Sequence, residues 1–296
     1  MAGLVKVFGS SFYYPGGKFF VIVEDDGSLI VSGDNSEGHL GLGYESNRGY
    51  VSDQKVPNLQ DIVSAGCGNR FFAAVTADGV LFTWGDGTLG NLGHDSTESL
   101  PEPRKVEGLN GHFVKKVACG NNHVLVLCGD GSVWSWGYND CGEIGRGHKH
   151  VVKEPRKMEL NGIEVVDIAC GHQFSALVTV DGSLLMFGNN SSGQLGLGHN
   201  DQVLVPTKVT GLQDVVEVSC GREHTVAICS NGSIFAWGNN DYGQLALYDR
   251  RNKTVPTLVE GLEDENVTSV VCRDDETRFF SSPPSIKAVC VPTPRN

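Results

Sequence analysis

Apolar residues fall along this chain in short runs separated by polar, glycine-containing turns, and no stretch carries them at helical spacing. Residues 114–137, VKKVACGNNHVLVLCGDGSVWSWG, display the unit. VKKVAC is an apolar-rich run ending at Gly120, and HVLVLC is a second run rich in β-branched side chains. A turn at Asp130-Gly131 leads into SVWSWG, where Val133 and Ser135 alternate with Trp134 and Trp136. Runs of this length bounded by Gly and Asp predict β-strands. Asp-Gly predicts a two-residue hairpin turn, because glycine takes positive φ without steric cost. Matching turns stand at Asp26-Gly27, Asp78-Gly79, Asp181-Gly182 and Asn231-Gly232. A last run follows in each unit (VPNLQ, EPRKV, EPRKM, VPTKV or VPTLV), and its proline, lacking a ladder donor, suits an outer edge strand.

The whole pattern repeats. An aromatic or polar residue precedes an anchor glycine at Gly33, Gly85, Gly137, Gly188 and Gly238, in steps of 52, 52, 51 and 50. Cys67-Gly68, Cys119-Gly120, Cys170-Gly171 and Cys220-Gly221 keep the same step, with Cys272-Arg273 as a worn fifth copy. Four short strands per unit at a period of about 50 point to an all-β propeller of four-stranded antiparallel blades. A solenoid would call for dedicated polar caps at its ends. Here LVKVFG and KFFVIVEDDGSLIVSG offer the first strands of a blade, and SIKAVCVP offers a spare strand at the other terminus. The expectation is therefore one domain over 1–296, with repeats at about 27–78, 79–130, 131–181, 182–231 and 232–282. A further blade would be split between 1–26 and 283–296, closing the ring by pairing N- and C-terminal strands and hiding their edges. That makes six blades; seven is the alternative. The glycine loops such as GQLGLG recur in five copies, each before an edge strand and none opening a helix. A phosphate loop needs a helix N-terminus after it, so these loops read as architecture.

Composition narrows the function. The 296 residues carry 23 Lys and Arg against 35 Asp and Glu, a net charge of −12, which disfavours a nucleic-acid backbone as direct ligand. No secretory leader, membrane span, Met-Gly start or C-terminal prenylation box is evident, so no membrane insertion and a cytoplasmic or nuclear location are expected. The nine cysteines are odd in number, and five of them (Cys67, Cys119, Cys170, Cys220, Cys272) share one repeat position. That is the pattern of reduced core thiols, not of a disulfide framework.

With these residues in view the chain resembles the regulator of chromosome condensation family. That family's repeat is written around W-G-x-N-x-x-G-Q-L-G-x-G, then V-P, then a run into C/A-G-x-x-H-T. FGNNSSGQLGLG…VPTKV…VSCGREHTVAI matches it almost position for position, and the resemblance extends from about Val5 to Phe280. It departs in its expected six blades against the founding member's seven, and in its last repeat, CRDDETRFF. The resemblance implies the propeller fold. Its members include an exchange factor for the small GTPase Ran, a plant ultraviolet-B receptor, modules of giant ubiquitin ligases, ciliary GTPase regulators and bacterial enzyme inhibitors, so the scaffold alone does not choose an activity.

Candidate chemistry is sparse. Cys119 with His123 and Cys220 with His224 could pass for zinc half-sites, but the same position holds Phe71, Phe174 and Thr277 in other copies. Alternation of His with Phe marks a packing position, so neither metal nor cofactor is expected. His148 and His150 read as solvated. There is no GxSxG elbow, and no catalytic residue stands out. The receptor's tryptophan cluster belongs to the loop after C/A-G, whereas Trp84, Trp136 and Trp237 here sit at strand ends, which argues against that role.

The loop after each Cys-Gly pair is where the repeats vary most, and variable positions inside a fixed unit are those freed from packing. They supply a candidate partner-binding face: Arg70, Asn121, Asn122, His172, Gln173, Arg222, Glu223, Asp274 and Asp275. In the Ran exchange factor an Asp and a His of this loop class contact the GTPase, and the slots here hold Arg70, Asn122, Gln173, Glu223 and Asp275. Only Glu223 and Asp275 keep acidic character. The segment 138–157, which corresponds to the family's nucleotide-displacing wedge, has ordinary length, and the basic N-terminal tail is absent. The expected function is a non-catalytic module, monomeric, binding a folded protein partner, with a Ran-like GTPase as one candidate. Nucleotide exchange on such a GTPase is the alternative, and stoichiometric inhibition of an enzyme is the third.

Overall fold

The structure is a computed structural model and describes residues 6–8, 20–46, 49–262, 267–273, 275–281 and 289–290. The chain forms two compact units. The first comprises Met1–Asp140 with His150–Met158, and the second Cys141–Lys149 with Glu159–Asn296.

The first unit holds three antiparallel four-stranded sheets, blades one to three. Blade one is β1 (Lys6–Phe8), β2 (Phe20–Val23), β3 (Leu29–Asp34) and β4 (Tyr50–Lys55). Blade two is β5 (Ile62–Cys67), β6 (Phe71–Thr76), β7 (Leu81–Gly85) and β8 (Leu100–Lys105). Blade three is β9 (Val114–Cys119), β10 (His123–Cys128), β11 (Val133–Gly137) and β12 (Val152–Lys157). The second unit holds blade four, with β13 (Val165–Cys170), β14 (Phe174–Thr179), β15 (Leu184–Gly188) and β16 (Val203–Lys208). Blade five follows with β17 (Val215–Cys220), β18 (His224–Cys229), β19 (Ile234–Gly238) and β20 (Lys253–Leu258). Blade six is β21 (Val267–Arg273), β22 (Glu276–Ser281) and β23 (Val289–Cys290), three strands among the described residues. Every sheet is built of strands consecutive in the chain. As for the two segments expected to share a blade, β1 and β2 pair with β3 and β4, while β23 pairs with β22.

Burial explains why the alternation read from the sequence is imperfect. The second strands β10, β14 and β18 are buried at all six positions, and Trp136 and Ser135 of β11 are both buried. A strand covered on both faces reads as a continuous apolar run, and each fully buried Val or Leu contributes about 1.5–3 kcal/mol. Outer strands such as β16 and β20 are half-exposed along their length, as their prolines suggest. The hairpins are one residue longer than the two-residue turn expected. Glu24 N–H donates to the Ser28 carbonyl while Gly27 N–H donates back to Glu24, a three-residue loop with Gly27 at φ 74°. Asp130 and Asn231 each accept their i+2 amide, Ser132 and Ser233, in the corresponding turns.

The glycine loops are internally tied, as their architectural reading requires. Asn190 Oδ1 accepts the Leu195 amide at 2.9 Å and its Nδ2 donates to the His199 carbonyl at 2.7 Å; Asn240 does the same with Leu245 and Asp249. The loops of blades two to five are also bolted to the next blade of their unit, whereas Trp84 Nε1 beside the first loop has no hydrogen-bond partner among the described residues. Trp237 Nε1 donates to the Gln194 carbonyl at 2.9 Å, and Thr225 Oγ1 donates to the same carbonyl at 2.9 Å. Trp136 Nε1 donates to Asn91 O, Ser175 Oγ to Glu143 O and Thr277 Oγ1 to Gln244 O. The W of the repeat, its T or Ser, or for blade four's loop both, thus donate the bond that holds the preceding glycine loop in place.

Eight of the nine cysteines, all but Cys290, are free thiols. Burial pushes Cys128 up to about 11 and Cys272 up to about 12, so almost no thiolate exists near neutrality. Both should therefore resist a thiol reagent at pH 8 in native protein and react once denaturant is added. Stoichiometric labelling by absorbance checks this, and fast native labelling of either would contradict the buried geometry.

Candidate functional site

The variable loops hang on the anchor glycines. Gly85, Gly137, Gly188 and Gly238 have φ of 100–111°, and an added Cβ would stand 2.4–2.5 Å from the carbonyl oxygens of Arg70, Asn122, Gln173 and Glu223 respectively. Only glycine lets the loop backbone come so close. The amide after each glycine uses this approach: Asp86, Tyr138, Asn189 and Asn239 N–H donate to those same four carbonyls at 2.8–2.9 Å. The recurring glycine therefore holds the backbone of the loop residue in its own blade, and Arg70, Asn122, Gln173 and Glu223 are half-buried there.

In the first unit this places Arg70, Asn121 and Asn122 on blades two and three. Arg70 lies at φ 64°, and its guanidinium pairs with Glu37 at 2.8 Å. The Asn121 carbonyl accepts the Asn69 amide at 2.7 Å, joining the two loops, and the side chains of Asn121 and Asn122 are half-buried.

In the second unit, blades four to six bring together His172, Gln173, Arg222, Glu223 and Asp275. Gln173 Oε1 accepts Asn189 Nδ2 at 3.2 Å, and Glu223 Oε2 accepts Ser192 Oγ at 2.9 Å. Arg222 is exposed and its charge reaches both neighbours. Burial holds His172 below its usual range, with Arg222 adding to the effect and Glu223 opposing it. Burial raises the Asp275 carboxyl; Arg222 counters this, and the nearby carboxylates of Glu223 and Asp241 reinforce it. Asp274 lies outside the described residues.

The glycine loops also reach this surface, which the purely architectural reading of them missed. Glu37 and Ser192 both stand four residues after an anchor glycine and touch the variable loop of the following blade, and Asp241 contributes charge beside Asp275. The available signal was the variation of that slot, which holds Glu37, Leu89, Cys141, Ser192 and Tyr242 while the residues around it recur.

The His/Phe position is internal. Phe71, His123, Phe174, His224 and Thr277 are all buried, and His224 Nε2 meets Thr277 Oγ1 at 3.0 Å. Among the described residues no group of three or more His, Cys, Asp and Glu converges as metal ligands would. Trp84, Trp136 and Trp237 are fully buried in their blades.

A family model described as the RCC1-like domain matches residues 12–283. Human E3 ubiquitin-protein ligase HERC2 is 38% identical over 204 residues, 67% of this chain and 4% of that protein. The ultraviolet-B receptor UVR8 of Arabidopsis thaliana is 35% identical over 187 residues, 62% of this chain and 42% of that protein. The chain thus spans less than half the length of these relatives. Among solved structures, yeast RCC1 (Prp20), crystallised with Kap60, superposes with a TM-score of 0.78 at 19% identity, covering 90% of this chain and 66% of its own, a likeness of fold.

Proposed function

Because the chain belongs to the RCC1-like domain family, we propose that it is a protein-interaction propeller recognising a folded partner through the loops between its first and second strands. One observation carries this reading. The backbones of Arg70, Asn122, Gln173 and Glu223 are clamped by anchor glycines, while on the same loops Arg222 is exposed, His172, Glu223 and Asp275 are half-buried, and these slots differ from blade to blade. Variable groups on a rigid frame are the arrangement that recognition requires, and they pay little ordering entropy on binding. The face is of mixed charge on an acidic chain, so association with a basic partner surface should weaken as salt rises. A photo-crosslinking residue at position 223 should capture a discrete partner in cells, and the same residue at 207 on the outer strand β16 should not. Equal capture from both positions, or none from 223, would remove the loop face from consideration.

A small GTPase is the partner class favoured, and nucleotide exchange is the second reading. The observation behind it is the pair of acidic side chains Glu223 and Asp275 on successive blades, close enough that the Glu223 charge helps raise the Asp275 carboxyl. Release of a fluorescent GDP analogue from Ran and related GTPases tests it. Turnover by substoichiometric protein, lost on Glu223→Ala or Asp275→Ala, is the expected result of exchange. Binding in a one-to-one complex without release leaves a scaffold.

A further inference from the structure

Each glycine loop of the first four blades is covered by the outer strand of the blade that follows. The residue ten positions after the anchor glycine donates its amide to the second residue of that strand: Gly43 to Pro101, Asp95 to Lys153, Gly147 to Leu204 and Gly198 to Thr254, at 2.8–3.0 Å. In blades two to four the strand also presses on the glycine five positions after the anchor, whereas Gly38 of blade one meets Pro101 only at 3.9 Å. A Cβ on Gly90, Gly142 or Gly193 would lie 2.5–2.9 Å from Lys153, Leu204 or Thr254.

Blade five has the same loop and, among the described residues, no such strand, since blade six ends at its third. The equivalent glycine, Gly243, would meet nothing within 4 Å. The equivalent donor is Tyr248, whose side chain is 91% exposed. A cleft of about 270 Å³ opens there, lined in part by Ala246, Tyr248, Lys253 and Leu258.

The sequence departs from its own repeat at this spot: three departures are toward apolar, and one, Lys253 where the other outer strands begin with Tyr50, Leu100, Val152 and Val203, is toward charge. Ala246 replaces the glycine of 41, 93, 145 and 196 and sits at φ 56°. Tyr248 stands where the other copies have Gly43, Asp95, Gly147 and Gly198. Leu258, 45% exposed, ends β20 where the other four outer strands end in Lys55, Lys105, Lys157 and Lys208. All four departures line the one cleft.

We propose that this slot is a docking site for an extended strand of another polypeptide, of the x-x-Val-Pro-Thr type that fills the equivalent slots of blades three and four. Val203–Lys208 and Lys253–Leu258 are the templates. The incoming strand would offer a carbonyl to the Tyr248 amide and lay its backbone over Gly243. Its apolar side chains would cover Ala246, Tyr248 and Leu258. Strand addition at an open slot draws affinity from main-chain bonds and specificity from alternate side chains.

The probe is a dye-labelled peptide with the sequence of residues 201–210, DQVLVPTKVT, titrated against the full chain by fluorescence anisotropy. Saturable one-to-one binding is expected, with a scrambled peptide inert. Leu258→Lys restores the residue the other blades carry and so should keep the fold, yet weaken binding by about tenfold or more. Tyr248→Pro removes the amide donor and should do the same, with the melting temperature of both variants reported alongside. Absence of binding to the wild type, or equal binding by Leu258→Lys, would overturn the proposal. So would wild-type self-association relieved by Leu258→Lys, which assigns the slot to a second copy. Binding seen only after removal of residues 291–296 would assign it to the chain's own terminus.

Discussion

Gly196→Ala is expected to cost about 3–4 kcal/mol of stability, far more than an ordinary alanine for glycine in a loop. Two effects add. Gly196 sits at φ 70°, where an L side chain is strained by about 1–2 kcal/mol. Its added Cβ would also stand 2.8 Å from Nε1 of Trp237, which is fully buried and already hydrogen-bonded to Gln194. The indole has no room to yield, so either its bond or its packing against blade four is lost. Gly243→Ala is the internal control: its φ is 82° and nothing lies within 4 Å, so only the conformational part, about 1–2 kcal/mol, should appear. Urea unfolding of the two variants measures the difference. Equal losses would show that the tryptophan contact does not constrain this glycine.

Acidification should destabilise the protein between pH 6.5 and pH 4, and His224 should supply much of the loss. Complete burial lowers its pKa to about 4 from 6.5, partly opposed by a hydrogen bond to the Glu276 backbone. A depressed histidine is neutral in the folded state while the unfolded state takes up a proton. Its contribution is therefore whole above pH 6.5 and falls away as pH drops toward 4, to a limit of about 3 kcal/mol. His94, also held near 4 by burial, shifts stability in the same direction. Phe71 and Phe174 occupy the equivalent place in other blades, so His224→Phe should fold and should flatten the stability–pH curve by about one proton's worth over this window. Denaturant midpoints across the range test it. An unchanged slope in the variant would mean that His224 is not the titrating group.

Much of this molecule was legible because it is written five times. One aromatic-Gly anchor could belong to many folds, but Gly85, Gly137, Gly188 and Gly238 in register with four Cys-Gly pairs admit few. The His/Phe alternation at 71, 123, 174 and 224 likewise identified a buried position before any coordinates, since a ligand position would not accept a phenylalanine. The hairpins resisted for a local reason. Asp-Gly is compatible with both two- and three-residue loops, and the choice here is made by the amide pair that Glu24 and Gly27 form with Ser28 and Glu24. Contacts between blades were harder still, because the partners of Glu37 and Ser192 lie 33 and 31 residues away in the chain.

Repetition, strand type, the architectural role of the glycine loops and the variable slots were determined by the sequence alone, through short-range periodicity and the conformational demands of Gly and Pro. Tertiary structure decided which carbonyl each anchor glycine admits, which slots touch across blades, and that among the described residues no strand covers the loop of blade five. Those outcomes depend on distances between residues from about 15 to about 60 positions apart, beyond the reach of local propensity, and are set by the pairing of strands within a blade and the packing of one blade on the next.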